Sequence, residues 1–213
     1  GTGAAVATVA DADVRNLGGT LRGLSGSAMT STFGLNLVNI GGDITGLASA
    51  ATVRAGRAAT IINGAGGEIG AGIDSAIAAA EDLGLENLGR IASGGRAATI
   101  DAGANAGITN GDGGQITNRV GSAITATIGL TLVNQPGGTI SGGARYTVDA
   151  GIMADVTNRG TITGLPDGIL LGPASRLTNA PGGLIEGIDT AIAAADGSIR
   201  IVNEPGARIR STL

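Results

Sequence analysis

The sequence predicts an all-β fold: a right-handed single-stranded parallel β-helix (β-solenoid) of about nine coils, with 23–24 residues and three short strands in each coil. Two observations support this prediction. An Asn-Gly-rich turn followed by Ile or Leu recurs along the whole chain, and the 213 residues include 41 Gly but only one Phe, one Tyr and no Trp. We predict a single domain over residues 1–213.

The repeated unit is an aliphatic residue, any residue, an Asn, a Gly-containing turn and then Ile or Leu. From Asn87 to Ile91 this turn spans four residues, and from Asn63 to Ile69 it spans six, the added residues being Gly or Pro. Length variation at one place in each repeat indicates a turn between two strands. The nine Asn recur at intervals of 21 to 24 residues, at Asn16, Asn39, Asn63, Asn87, Asn110, Asn134, Asn158, Asn179 and Asn203.

A further aliphatic segment lies later in each repeat, which makes three strands per coil. The segment at 72–82 recurs almost unchanged at 187–197, and 168–172 occupies the same place. An alternative is a helix over residues 74–89, with Ser75 as its N-cap. We favour strand, corner and strand, because the matching segment reaches Gly197 too soon for a helix and the Asn spacing is maintained.

Stacked coils place aliphatic side chains in columns inside a narrow rod, which explains the scarcity of aromatic residues. The recurring Asn allows two interpretations, a ligand-binding surface or a structural corner ladder. We favour the ladder, with each amide in a left-handed corner and hydrogen-bonded to the coils above and below. The predicted ladder comprises Asn39, Asn63, Asn87, Asn110, Asn134, Asn158, Asn179 and Asn203.

Composition restricts the functional classes. The net charge is −4 and the 13 basic residues are all Arg, interspersed with acids, so no basic tract predicts nucleic-acid binding. The absence of His and Cys removes Ser-His-Asp and Cys-His catalysis and the commonest metal ligands. No apolar run is long enough to span a membrane, and no signal peptide is recognisable at the first residues. We expect no cofactor and no metal site.

At residues 156–164 and 167–171 the sequence resembles the repeats of passenger domains from Gram-negative autotransporters. The resemblance implies export and display at, or release from, the bacterial surface, with adhesion, self-association or biofilm formation as common roles. It also implies an outer-membrane β-barrel translocator on a separate part of the parent protein, because no amphipathic C-terminal strand series occurs here. A host or surface glycan or protein is a further implied partner.

A polysaccharide-acting lyase or hydrolase is the alternative function, and it requires clustered carboxylates and often an Arg. The candidates are Asp43, Asp74, Asp101 and Asp112, together with Arg54, Arg57 and Arg96. Their positions relative to the repeat Asn differ, so scattered solvated charges are the simpler interpretation. Phe33 and Tyr146 lie more than four coils apart, which argues against an aromatic sugar platform. We therefore expect no enzymatic activity.

Two other solenoid functions have weaker support. A calcium-binding nonapeptide is approached only at 111–114 and is not repeated. The Thr-containing segments 125–131 and 161–163 suggest an ice-binding face, but other coils do not keep Thr in that register. Both chain ends have strand-like sequence without a visible cap, so we expect either a longer passenger or head-to-tail self-association.

Overall fold

A computed structural model describes residues 4–47 and 49–213. Its 27 strands form three nine-stranded parallel sheets, and each coil contributes one strand to each sheet. The chain is a β-solenoid. The predicted all-β class, the nine coils and the three strands per coil are confirmed.

The three sheets are named A, B and C in the order in which the chain enters them. Sheet A contains β1 (Val6–Thr8), β4 (Met29–Ser31), β7 (Val53–Ala55), β10 (Ile77–Ala79), β13 (Ile100–Ala104), β16 (Ile124–Ile128), β19 (Tyr146–Asp149), β22 (Asp167–Leu171) and β25 (Thr190–Ala194). Sheet B contains β2 (Ala12–Leu17), β5 (Leu35–Ile40), β8 (Ala58–Asn63), β11 (Asp82–Asn87), β14 (Ala106–Asn110), β17 (Thr131–Asn134), β20 (Asp155–Asn158), β23 (Ser175–Asn179) and β26 (Ile199–Asn203). Sheet C contains β3 (Thr20–Gly23), β6 (Asp43–Gly46), β9 (Glu68–Ala71), β12 (Arg90–Ser93), β15 (Gln115–Asn118), β18 (Thr139–Gly142), β21 (Thr161–Gly164), β24 (Leu184–Gly187) and β27 (Arg208–Ser211).

The interior is filled by columns of aliphatic side chains. Alternate residues of a strand point inward, and the inter-strand register places like residues on each other, as in Ile91, Ile116 and Ile140 of sheet C. These side chains are fully buried, and burying each one contributes about 1.5–3 kcal/mol. Seven consecutive coils carry a fully buried Ile in this column, at Ile44, Ile69, Ile91, Ile116, Ile140, Ile162 and Ile185.

Residues 74–89 form strands rather than the alternative helix. Strands β10 and β11 lie in this segment, and Leu83 and Leu85 are buried while Gly84 between them is exposed. Burial with a period of two matches a strand with one face toward the core. The favoured strand, corner and strand is therefore confirmed.

The turns between sheets B and C come in three lengths. In the two longer forms a Gly two or three residues after the Asn adopts positive φ, at 61° for Gly41 and 70° for Gly66. Such a φ favours glycine because a Cβ would be strained there. In the shortest form, Asn87-Leu88-Gly89, no residue has positive φ. The variable turn length predicted from the sequence lies at this corner.

Candidate functional site

The nine repeat Asn form one continuous hydrogen-bonded column at the corner between sheets B and C. Each Nδ2 donates to Oδ1 of the Asn in the next coil, at 2.8 Å from Asn63 to Asn87 and 2.9 Å from Asn110 to Asn134. The same relation holds at every step from Asn16 to Asn203.

The ladder amides are also bonded to the backbone. Asn110 Nδ2 donates to the carbonyl oxygens of Gly114 and Thr139, and the seven Asn from Asn39 to Asn179 are fully buried. Because these buried amides form their hydrogen bonds within the fold, they stabilise the corner. They leave few free donors or acceptors for a ligand. One detail of our expectation was wrong: the left-handed backbone lies at the turn glycines and not at the Asn themselves.

An exposed row of aliphatic side chains follows the corner between sheets C and A. Each member comes one or two residues after the end of a sheet C strand, and its exposed fraction lies between 43% and 69%. We call these residues the corner row: Leu24, Leu47, Ile73, Val120 and Leu165. Coils 4 and 6 have no such member, because Gly94 and Gly143 follow the sheet C strand there. The row was not predicted from the sequence, although an aliphatic residue shortly after the sheet C segment recurs in several repeats.

An open groove borders the corner row on the outer face of sheet C. Four residues of successive coils, all on the outer face, are paired with each other across sheet C: Thr45, Gly70, Ala92 and Thr117. The small Gly70 and Ala92 form the floor of the groove, and the larger Thr side chains lie at its two ends. Leu47 of the corner row lines one wall, and the cavity volume is about 510 Å³. We call this feature the sheet C groove.

Charged side chains flank the sheet C groove. Glu68 and Arg90 form an ion pair between neighbouring coils. Arg119 also lines the groove, and it makes no ion pair with any residue that the structure describes. The groove therefore combines a small apolar floor with one paired and one unpaired cation.

A second depression, on sheet A, brings together three of the charged residues named in the sequence analysis. Arg54, Ala78 and Asp101 occupy one register column in three successive coils, and Asp74 lies at the corner just before β10. All four line a depression of about 380 Å³, which we call the sheet A depression. Ala78 leaves open the space between the flanking Arg54 and Asp101.

The other candidate charges lie elsewhere. Asp43 is in sheet C, and Asp112 is in a turn between sheets B and C. The guanidinium carbon of Arg57 lies 5.2 Å from the ring centroid of Phe33, a cation–π contact at the corner between sheets A and B. Arg96 follows β12 at the corner between sheets C and A. The simpler interpretation of scattered charges thus holds for these four.

The Thr-containing segments do not share a face. Thr125 lies in sheet A, Thr131 in sheet B and Thr161 in sheet C. A water-ordering surface needs hydroxyls on one flat sheet, so these two segments do not combine into an ice-binding face.

The sheet A depression changes the titration of one carboxyl group. Partial burial raises the pKa of Asp101 above its ordinary value of 3.8, and the neighbouring Asp74 carboxylate raises it further. Ionisation of Asp101 is therefore less favourable in the folded chain than in the unfolded one. The stability that the protonated Asp101 carboxyl contributes is fully present below its ordinary pKa of 3.8, and it is lost as the pH rises through the raised pKa of the folded chain.

Asp101→Asn is expected to raise the free energy of unfolding slightly at pH 7, by no more than about 0.5 kcal/mol, because it removes a charge that partial burial and the Asp74 carboxylate disfavour. At pH 3 the Asp101 carboxyl is mostly protonated in both the folded and the unfolded chain, and the difference should become small. Urea unfolding of wild type and variant at the two pH values measures this. Asp43→Asn, outside the depression, is the control, and a loss of stability in Asp101→Asn at pH 7 would contradict the assignment.

Comparison of the chain with protein-family models, curated proteins and solved structures found no match. The resemblance to autotransporter passengers stays a prediction. Among the described residues no helix is long and apolar enough to cross a membrane.

Proposed function

We propose that the chain is a non-enzymatic structural and adhesive module that self-associates through its lateral surface. The observation that carries this proposal is the corner row beside the sheet C groove. Aligned exposed aliphatic side chains are uncommon on a surface that faces only water, and they mark sites of association. Five of the first seven coils contribute a member, and the row covers about 29 Å at the strand spacing of a parallel sheet.

The partner that we propose is a second copy of the chain. An apolar ridge and an apolar groove lie side by side on one surface, so a two-fold axis can place the ridge of each copy against the groove of the other. A self-complementary patch of this kind is what an isologous dimer requires. Burial of the corner row from water supplies the driving force.

Arg119 on the groove wall has no ion-pair partner among the described residues of its own chain. A second copy that covers the groove can supply an acidic group to it, and such a pair would favour one register of the two copies.

The wider setting of the proposal rests on the sequence resemblance. We place the module outside the cell, displayed at or released from a bacterial surface, where adhesion or biofilm formation would follow from self-association. The end strands of each sheet also have one backbone edge without a partner in the described chain, so head-to-tail association is a second form of assembly within this proposal.

Replacing two corner-row residues with cations should abolish lateral association. We expect the purified wild-type chain to dimerise with increasing concentration in sedimentation experiments, and beads coated with it to clump. The double variant Leu47→Lys/Val120→Lys should stay monomeric and fail to clump beads, because both charges would be buried against the partner.

The matched control is Leu17→Lys/Leu88→Lys, which changes two exposed Leu at the corner between sheets B and C. It should associate like wild type. Equal association of the corner-row variant and wild type would overturn the lateral interface, and so would a wild-type chain that stays monomeric and does not clump beads.

A polysaccharide-acting enzyme is the second candidate, and one observation favours it. Asp74, Asp101 and Arg54 line a single depression, so two carboxylates and a cation lie close together. Incubation with acidic and neutral polysaccharides, followed by measurement of new chain ends, tests this. Cleavage that Asp101→Asn abolishes would support the enzyme; no cleavage of any substrate by the wild-type chain would count against it.

A further inference from the structure

We propose that the sheet A depression binds a zwitterion of the ω-amino carboxylate type, with its carboxylate at Arg54 and its ammonium group at Asp74 and Asp101. Such a group occurs in lysine-like small molecules and at the C-terminal lysine of a polypeptide. This inference goes beyond the proposed function and does not depend on self-association.

The opposite charges of the depression lie on two strands that are separated by a third. Arg54 in β7 and Asp101 in β13 are both in register with Ala78 in β10. Their backbones are therefore two strand spacings apart, about 10 Å. The methyl side chain of Ala78 leaves a slot between the cation on one side and the carboxylate on the other.

These opposite charges do not form ion pairs with each other. Arg54 forms no ion pair with any described residue, although Asp74 and Asp101 line the same depression. Asp74 and Asp101 repel each other, which is one reason that the pKa of Asp101 is raised. A cation placed near both carboxylates would relieve this repulsion, and an anion near Arg54 would gain a partner.

The lining between the charges indicates which ligand body fits the depression. The surface between the charged residues is made of small side chains, with Ala50 and Ala51 at one wall and Ala78 at the floor. It offers methyl groups and no aromatic ring, so it suits a short methylene chain better than a sugar ring. The 213 residues contain no Lys, so the lysine-type group comes from outside this sequence.

Titration of the full chain with 6-aminohexanoate, followed by NMR shifts of the backbone amides, tests the proposal. We expect saturable shifts confined to residues around the depression, with a dissociation constant in the millimolar range, because exposed ion pairs are individually weak. Hexanoate and hexylamine, which each lack one charge, should bind several-fold more weakly, as should the shorter 4-aminobutanoate.

Two variants and a control locate the site. Arg54→Gln and Asp101→Asn should each weaken binding by about threefold or more. Arg159→Gln, in a turn between sheets B and C on coil 7, should leave binding unchanged. Equal binding of hexanoate, hexylamine and 6-aminohexanoate would overturn the proposal, as would an unchanged dissociation constant in both depression variants.

A peptide ending in Lys distinguishes the two sources of the ligand. If the peptide with a free carboxylate binds at least as tightly as 6-aminohexanoate, and its amidated form binds more weakly, the natural partner is a polypeptide C-terminus. If only the free ω-amino acid binds, the ligand is a small zwitterion. Absence of binding by both would overturn the proposal while leaving the lateral association untouched.

Discussion

Asn110→Ala is expected to lower the free energy of unfolding by about 3 kcal/mol, because it breaks the amide ladder inside the corner. Asn110 accepts a hydrogen bond from Asn87 at 2.8 Å and donates to Asn134 at 2.9 Å. Its Nδ2 also donates to the carbonyl oxygens of Gly114 and Thr139. Truncation therefore leaves several buried polar atoms short of partners.

Urea unfolding followed by circular dichroism measures this loss, with Asn203→Ala as the matched control. Asn203 is also a ladder residue, but it is exposed in the last coil, so water replaces its hydrogen bonds. We expect the control to lose about 1 kcal/mol or less. Equal losses in the two variants would show that burial of the ladder contributes nothing.

Ile116→Ala should cost about 3–4 kcal/mol, because it opens a cavity at the middle of the rod. Ile116 is fully buried and lies in register between Ile91 and Ile140. Neighbouring coils are held by their own backbone hydrogen bonds and cannot collapse far into the space. Amide hydrogen exchange should show the largest loss of protection in the coils on both sides of the substitution.

Ile209→Ala is the control for the core substitution. Ile209 occupies the same column in the last coil, where it is only half-buried and pairs with one neighbour, Ile185. Truncation of this half-buried side chain exposes less apolar surface and opens a shallower cavity. We therefore expect the free energy of unfolding to fall by about 1 kcal/mol. A loss as large as that of Ile116→Ala would contradict the idea that each coil depends on both neighbours.

Much of the fold could be predicted because a solenoid repeats its local chemistry. The Asn spacing counts the coils, and the aliphatic residues on either side of each turn identify the strands of sheets B and C. The ladder followed from stacking like residues at one corner. The position of the left-handed residue did not, because Asn and Gly both tolerate positive φ and only the backbone path decides between them.

The candidate sites were harder to predict. Arg54 and Asp101 are 47 residues apart in sequence, and they share a column only because the coils from β7 to β10 and from β10 to β13 advance by 24 and 23 residues. Asp74 lies in a corner whose length varies, so its place relative to the column could not be predicted. The exposure of the corner row likewise depends on how each loop leaves sheet C.

The parallel pairing of the coils also governs how the molecule responds to force. The hydrogen bonds between coils, including those of the Asn ladder, run along the axis of the rod. A pull along this axis acts on each pair of neighbouring coils with the same force. Within one pair, all the hydrogen bonds between the two coils share that force. Under such a pull the rod would therefore stay rigid until the bonds between one pair of coils break, and it would then lengthen one coil at a time.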